Sequence, residues 1–358
     1  MKLVVTGAAG YLGQRVVLQA LSMGHDVIAI VRPGRRTDSV LWSGADRIQV
    51  VELDLAADDS RQKMVKVFTG IGAGDVAVVH VAAALYGDDG AHARHTVEPT
   101  RRLIEAMEQA HWRRFVLVSS FSVYGYAALP DHAQLDEYTP LEPEPAQRDA
   151  YCRAKLEQEA IALVAAQSRG MLVSVLRPGM LYGSGRWWGP RLGVRFGPVG
   201  VLLGGSATLP VAHVDNCALA AVLAAISQSV PSDVHVKAND SGESGAFEAI
   251  NVVDDQLPTQ NQLAGAAARV VRGFPKVFTS VPWALLRRVT AVIALLTWVL
   301  PGLSAKLPGV LRQASLHARC KPLRFCNFRL HDRLGWVPLL SWKEALHQER
   351  NQVIRDER

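Results

Sequence analysis

The stretch Leu3-Val4-Val5-Thr6-Gly7-Ala8-Ala9-Gly10-Tyr11-Leu12-Gly13 constrains the fold more than any other part of this 358-residue chain. Leu3 to Val5 is a short apolar run, as in a strand buried on both faces. The glycines lead into Val16, Val17, Ala20 and Leu21, spaced as one apolar face of a helix. A glycine triplet that leaves a strand and opens a helix has the context in which such triplets bind a dinucleotide. Gly7 permits a tight turn, and Gly10 lets backbone approach a pyrophosphate at the positive end of the helix. Gly13 lets helix and strand pack closely.

The pattern continues. His25–Arg32, Ile48–Leu53, Val76–Val81 and Phe115–Val118 read as further strands, with a helical stretch over Thr100–Gln109 before the last. Phe247–Val252 reads as a late strand of the same sheet. Strands alternating with helices imply an α/β fold with a doubly wound parallel sheet, the Rossmann arrangement. The chain divides into a dinucleotide-binding part, residues 1–178 and 205–255, and a smaller C-terminal substrate-binding region, residues 179–204 and 256–358. Ligands of such sheets bind outside the strand C-termini, where Ala82, Ala83 and Ser120 fall. An acid at the end of the second strand would hold the ribose hydroxyls of NAD. This chain has Arg32 there, followed by Arg35 and Arg36, which favours a 2′-phosphate and so NADP over NAD.

Tyr151 and Lys155 lie one turn apart on one face of a helix that opens at Tyr151 and runs through Leu163. Hydride transfer to a ketone needs a proton for the developing alkoxide. A free Tyr has a pKa of about 10, and a nearby ammonium is expected to bring it closer to operating pH. Ser120 can hydrogen-bond the reacting oxygen.

The chain resembles the extended short-chain dehydrogenase/reductases, the NAD(P)-dependent epimerase/dehydratase family. The matching residues are Thr6-Gly7-x-x-Gly10-x-x-Gly13, Asp54-Leu55, His80-x-Ala82-Ala83, Ser119-Ser120-x-x-Val123-Tyr124-Gly125 and Tyr151-x-x-x-Lys155. Leu176-Arg177-Pro178, Tyr182-Gly183 and Val211-Ala212-His213-Val214-Asp215-Asn216 follow in family order. The resemblance implies that Ser120 orients the substrate, Tyr151 is the acid/base and Lys155 binds the nicotinamide ribose. The candidate cofactor-binding residues are Gly7, Gly10, Tyr11, Leu12, Gly13, Arg32, Arg36, Asp54, Leu55, Ala82, Ala83, Tyr151, Lys155 and Pro178. The chain also departs from the family. Thr96-Val97-Glu98-Pro99-Thr100 stands where an Asn-Val-x-Gly-Thr signature is common, and Met180 replaces an Asn of nucleotide-sugar relatives. The Arg177-Pro178 form looks more like the branch of the 3β-hydroxysteroid and sterol dehydrogenases and dihydroflavonol reductases.

Towards the C-terminus, Trp187 and Trp188 either wall an apolar pocket or pack in a core or dimer interface. Val281–Leu300 is apolar but interrupted by Arg287 and Arg288. Between Arg269 and Arg333 there are twelve Lys or Arg and one acid, Asp332, in a chain of net charge +6. A segment over 281–303 that dips into one leaflet of an anionic membrane fits this pattern, as does a helix buried within the protein. The four cysteines are too few for a disulfide scaffold, and Met1 leads straight into the first strand, so a cytoplasmic protein with reduced thiols is expected. His317, Cys320 and Cys326 lack metal-site spacing, and no nucleic-acid motif accompanies the basic segment.

The functional expectation is an NADP-dependent oxidoreductase. It would interconvert a ketone and a secondary alcohol on a lipophilic substrate that is sterol-, hopanoid- or long-chain β-keto-acid-like. Two alternatives are a nucleotide-sugar epimerase/dehydratase with tightly bound NAD, and a non-catalytic NADP-binding protein at the membrane. The expected partners are the lipophilic substrate, the anionic face of the cytoplasmic membrane and a second copy of the chain.

Overall fold

Alternation in the first strand sets up the architecture. In β1 (Lys2–Thr6), Leu3 and Val5 point to one side of the sheet and Val4 to the other, and all three are fully buried. The computed structural model describes residues 1–34, 42, 46–72, 74–227, 234–235, 245–299 and 313–356. Within them, β1, β2 (Asp26–Val31), β3 (Ile48–Glu52), β4 (Val76–His80), β5 (Arg114–Val118), β7 (Leu172–Pro178) and β13 (Ala246–Val252) form a parallel sheet in the order β13-β7-β5-β4-β1-β2-β3. The two-residue β12 (Val234–His235) adds an antiparallel edge beside β13.

Helices cover both faces. α1 (Tyr11–Ser22) and α6 (Val214–Ile226) pack together on one side with Val16, Val17, Ala220 and Ala221 in a fully buried layer. α2 (Ser60–Ile71), α4 (Glu98–Gln109) and α5 (Ala150–Arg169) cover the other side through Met64, Phe68, Leu103 and Ala162. The short α3 (Asp89–His92) runs through a π-turn, Ala93–Val97, into α4.

A second layer sits at the C-terminal edge of the sheet. β8 (Met180–Tyr182) pairs with β11 (Val211–His213), and β9 (Gly193–Phe196), β10 (Val199–Leu203) and β14 (Val277–Val281) form a small sheet. α7 (Gln260–Val270) closes over them. The two adjacent tryptophans divide their roles. Trp187 is buried with Leu192, Leu209 and Leu263, whereas Trp188 packs on Phe274 at 5.4 Å between ring centroids and lines the large cleft. β6 (Gln134–Leu135) pairs with β15 (Arg324–Phe325), which ties the long proline-rich loop to the C-terminal region. α8 (Trp283–Val299), α9 (Gln313–Cys320), α10 (Phe328–Leu334) and α11 (Trp342–Asp356) complete the described chain. Among the described residues no helix is long and apolar enough to cross a membrane.

A buried ion pair docks α5 on the sheet. Arg177 of β7 reaches Glu159 with Nε at 3.0 Å and Nη2 at 2.7 Å, and Ser119 donates to the same carboxylate at 2.5 Å. Both side chains are almost fully buried. Removing one partner leaves a buried charge uncompensated, which costs about 3–5 kcal/mol. Glu159→Ala is therefore expected to lower the unfolding free energy by about that amount. Urea denaturation checks it, and a loss under 1 kcal/mol would contradict the ion pair as the anchor.

Candidate active site

The C-terminal ends of β1, β4, β5 and β7 open into one cleft of about 1090 Å³. That exceeds the range of about 300–1,000 Å³ usual for a single small ligand. Gly7, Gly10, Tyr11 and Leu12 line one end with Arg32, Asp54, Leu55, Ala82 and Ala83. Ser120, Tyr151, Lys155 and Pro178 line the middle. Gly13 lies beneath the turn: a Cβ there would stand 2.1 Å from the Gly7 carbonyl oxygen. Gly7 has φ +66° and its backbone abuts Ala82, so no side chain fits. Arg35 and Arg36 lie outside the described residues.

The glycine turn fits the pyrophosphate of a nicotinamide dinucleotide. The first amides of α1 have no side-chain cap, since the N-cap is Gly10. Uncapped amides at a helix start attract an anion. The Tyr11 hydroxyl, buried against Gly183 after β8, has no partner among the described residues. At the far end of this half, Asp54 accepts the Ala56 amide at 3.0 Å and holds the loop after β3 in place. Such a cofactor, when bound, would supply or accept the hydride; a proton would have to come from the chain's own groups.

α5 presents those groups. Asp149 caps the helix through the Cys152 amide at 2.9 Å, and Tyr151 follows in the first turn. The Ser120 hydroxyl accepts the Ser122 amide at 3.1 Å and faces the Tyr151 phenol, whose ionised form it favours. Lys155 Nζ donates to the Val118 carbonyl at 2.8 Å and to Gln158 Oε1 at 2.9 Å. Its position over the Tyr151 ring, 5.9 Å from the centroid, places a cation beside the phenol. His92 closes the other side edge-on, 6.0 Å from the Tyr151 ring.

The electrostatics differ from the sequence expectation in one respect. Lys155 was expected to pull the tyrosine pKa down, but desolvation dominates and pushes Tyr151 up to about 12. Burial also lowers Lys155 to about 8, against the raising influence of Glu159. Tyr151 is therefore a protonated acid across the neutral range, which suits donation to an alkoxide. Ser120 and the charge of Arg186 oppose the rise, and both act on the same hydroxyl.

Sequence reading missed Gln158. It bridges Lys155 to the Thr100 hydroxyl at 2.6 Å, and Thr100 in turn meets His80 Nε2 at 2.9 Å. His80 Nδ1 meets the Thr6 hydroxyl at 2.7 Å, so one polar chain runs from Lys155 to the residue before Gly7. Burial lowers His80 to about 3, with Lys155 adding to the effect, so the imidazole stays neutral. Thr100 donates to the Thr96 carbonyl at 2.7 Å, so it accepts from both Gln158 and His80, which puts the His80 proton on Nε2. Gln158 stands seven residues after Tyr151 and three after Lys155, so helix spacing alone puts it on their face. Thr96 fills part of the place of the family Asn. Its hydroxyl accepts the Ala84 amide at 2.9 Å and fixes the loop after β4.

A model of the NAD dependent epimerase/dehydratase family matches residues 3–228. The chain belongs to that family. It is a nicotinamide-dependent enzyme. A 3-diazoavenalumate denitrifying reductase from a Streptomyces species is 30% identical, covering 98% of this chain and all of the relative. A 2-alkyl-3-oxoalkanoate reductase from Stenotrophomonas maltophilia is 25% identical over 97% of this chain and 98% of its own. A UDP-glucose 4-epimerase from Thermotoga maritima, solved with UDP-glucose, superposes with a TM-score of 0.67 over the full length of both chains. At 17% identity that likeness shows the fold alone.

Replacing Tyr151 with Phe is expected to lower kcat by about 10²–10⁴ while cofactor still binds, as for loss of a general acid. The pH profile follows from the two groups. Lys155 loses its charge as pH rises through about 8, while Tyr151 keeps its proton up to about 12. In the reductive direction kcat/KM should therefore be flat near neutrality and fall above pH about 8. An alkaline limb absent below pH about 10 would contradict the assignment to Lys155.

Proposed function

We propose that this enzyme is an NADP-dependent oxidoreductase that interconverts a ketone and a secondary alcohol on a lipophilic substrate. The observation that carries the reading is the protonated Tyr151, set between Ser120 and Lys155, at the floor of a cleft whose outer wall is apolar. Leu85, Met180, Leu181, Trp188 and Ala318 line that wall. In reduction, Ser120 and Tyr151 hold the carbonyl oxygen, hydride reaches its carbon, and the Tyr151 proton passes to the oxygen. Lys155 stabilises the phenolate left behind. The two relatives that match along nearly the whole chain are both named as reductases, which supports redox turnover over epimerisation. Met180 lines the wall where nucleotide-sugar relatives carry an Asn, so a polar contact to a sugar is missing. The substrate class is sterol-, hopanoid- or long-chain β-keto-acid-like, within the branch of the 3β-hydroxysteroid dehydrogenases.

Arg32 supports NADP. It directly follows β2, is exposed to solvent and lines the adenosine end of the cleft, where no acid competes for a ribose hydroxyl at that position. A guanidinium there pairs with a 2′-phosphate. α8 supports a seat at the surface of an anionic membrane. Leu285, Val289 and Val292 are 51%, 44% and 57% exposed at helical spacing on one face, next to Arg287 and Arg288.

With lipophilic ketones, purified enzyme should consume NADPH in preference to NADH, and Arg32→Glu should raise the KM for NADPH at least tenfold. Preference for NADH by the unaltered enzyme would overturn the cofactor reading, and conversion of UDP-glucose without net NADPH consumption would overturn the reaction class. For the surface seat, Leu285→Glu with Val289→Glu should release the protein from anionic phospholipid vesicles in a sedimentation assay. Equal partition of both forms would reject α8 as the contact.

A further inference from the structure

The cleft is more cationic than a lipophilic ketone requires. Six Lys or Arg side chains line it against two Asp. Four of the six have work elsewhere. Arg32 faces the adenosine end, and Lys155 is held by Val118 and Gln158. Arg148 is buried in an ion pair with Glu142 at 2.8 Å and donates to the carbonyls of Tyr124 and Ser122. Arg319 lies 3.7 Å from Asp149. That leaves Arg186 and Arg191.

Neither has an acidic partner among the described residues, and both are half-buried. Each is instead propped on an aromatic ring that lines or underlies the cleft. The Arg186 guanidinium stands 4.9 Å from the centroid of Tyr11, and its charge acts on the Tyr151 hydroxyl. Arg191 stands 5.3 Å from the centroid of Tyr126 and donates to its hydroxyl at 2.7 Å. Tyr126 in turn donates to the carbonyl of Phe121 at 2.8 Å, one residue beyond Ser120. Arg191 is thus fixed by a short rigid chain to the segment that holds the reacting oxygen. Its backbone carbonyl is pinned as well, accepting from Gln260 at 2.6 Å.

Half-burying two guanidinium groups without a counter-anion is costly unless a ligand supplies one. A planar fork of N–H donors matches a carboxylate, which can take two parallel bonds. The apolar wall beside them, Met180 and Trp188, suits an alkyl or aryl body. We propose that Arg186 and Arg191 bind a carboxylate on the substrate, so that the reacting species is an oxo acid with an apolar body whose carboxylate lies close to its carbonyl. This rests on the reductase reading above and narrows its three substrate types to the acid. Met180 and the hydrophobic wall then set chain preference, and the two arginines set the register that brings the carbonyl to Ser120 and Tyr151.

The test compares a medium-chain 3-oxo acid with its methyl ester, using NADPH and the full-length enzyme, in the unaltered form and as Arg191→Met and Arg191→Lys. The unaltered enzyme should prefer the acid by about 10²-fold or more in kcat/KM, as a site built to bind a polar group rejects the analogue that lacks it. In Arg191→Met that ratio should collapse towards one, mainly through KM. Arg191→Lys should restore part of it, because an ammonium keeps the charge without the fork. A ratio near one in the unaltered enzyme, or an equal loss on acid and ester in Arg191→Met, overturns the carboxylate site while leaving the reductase reading intact. Absence of turnover with both compounds and with neutral lipophilic ketones fails the reductase reading itself. The cofactor is the other source of anionic oxygens. NADPH affinity, read by cofactor fluorescence, should change less than twofold in Arg191→Met, and a tenfold loss would assign the arginine to the cofactor and overturn the proposal.

Discussion

The buried pair between Arg177 and Glu159 is the contact on which the catalytic geometry depends. It fastens the middle of α5 to the C-terminal end of β7, where Arg177 also meets the Tyr124 hydroxyl at 3.0 Å. One turn earlier on the same helix, Lys155 bonds to the last carbonyl of β5. These two anchors set both the rotation and the height of α5 over the sheet edge. Tyr151, one turn further towards the helix start, is then placed opposite Ser120, whose hydroxyl meets its phenol. Charged groups buried in this way seldom add net stability compared with an apolar core. Their value here is positional, because an apolar interface would let the helix slide or rotate by fractions of an ångström.

Desolvation gives the site its chemical direction. The same burial that raises Tyr151 lowers Lys155, so near neutrality the resting site holds a protonated phenol beside an ammonium that is easily discharged. The polar chain through Gln158, Thr100, His80 and Thr6 holds Lys155 in place with neutral groups and contains no carboxylate. Glu159 is close enough to support the lysine, but Arg177 neutralises it. The result is an acid poised to give up its proton only when negative charge develops on a bound oxygen.

The fold was legible from local signals. The apolar alternation of β1, the glycine turn and the strand runs through Phe115–Val118 follow from periodicity and from backbone requirements that only glycine meets, such as Gly7 against Ala82. Tyr151 and Lys155 were legible because helix spacing puts both on one face, and the same spacing would have offered Gln158. The tyrosine pKa was not legible, since it depends on how much water the fold removes and not on which neighbours the sequence supplies. The role of the paired tryptophans was open for the same reason: Trp187 turns inward and Trp188 lines the cleft, and nothing in the dipeptide distinguishes them. Arg186 and Arg191 fall in an irregular loop whose path is set by β8, β9 and the small second sheet, so only the assembled structure shows that they have no acidic partner among the described residues.

The central claim is that this site moves a hydride from a nicotinamide to a substrate carbonyl while Tyr151 supplies the proton. Isotope tracing tests it most directly. The enzyme is incubated with NADPH carrying deuterium at both hydrogens of nicotinamide C4 and with a 3-oxo acid, and the product is examined by mass spectrometry. The account predicts one deuterium per molecule of hydroxy acid, on the carbinol carbon, with one NADPH oxidised for each. Substrate converted without deuterium, or with NADPH left unchanged at the end of turnover, would contradict it.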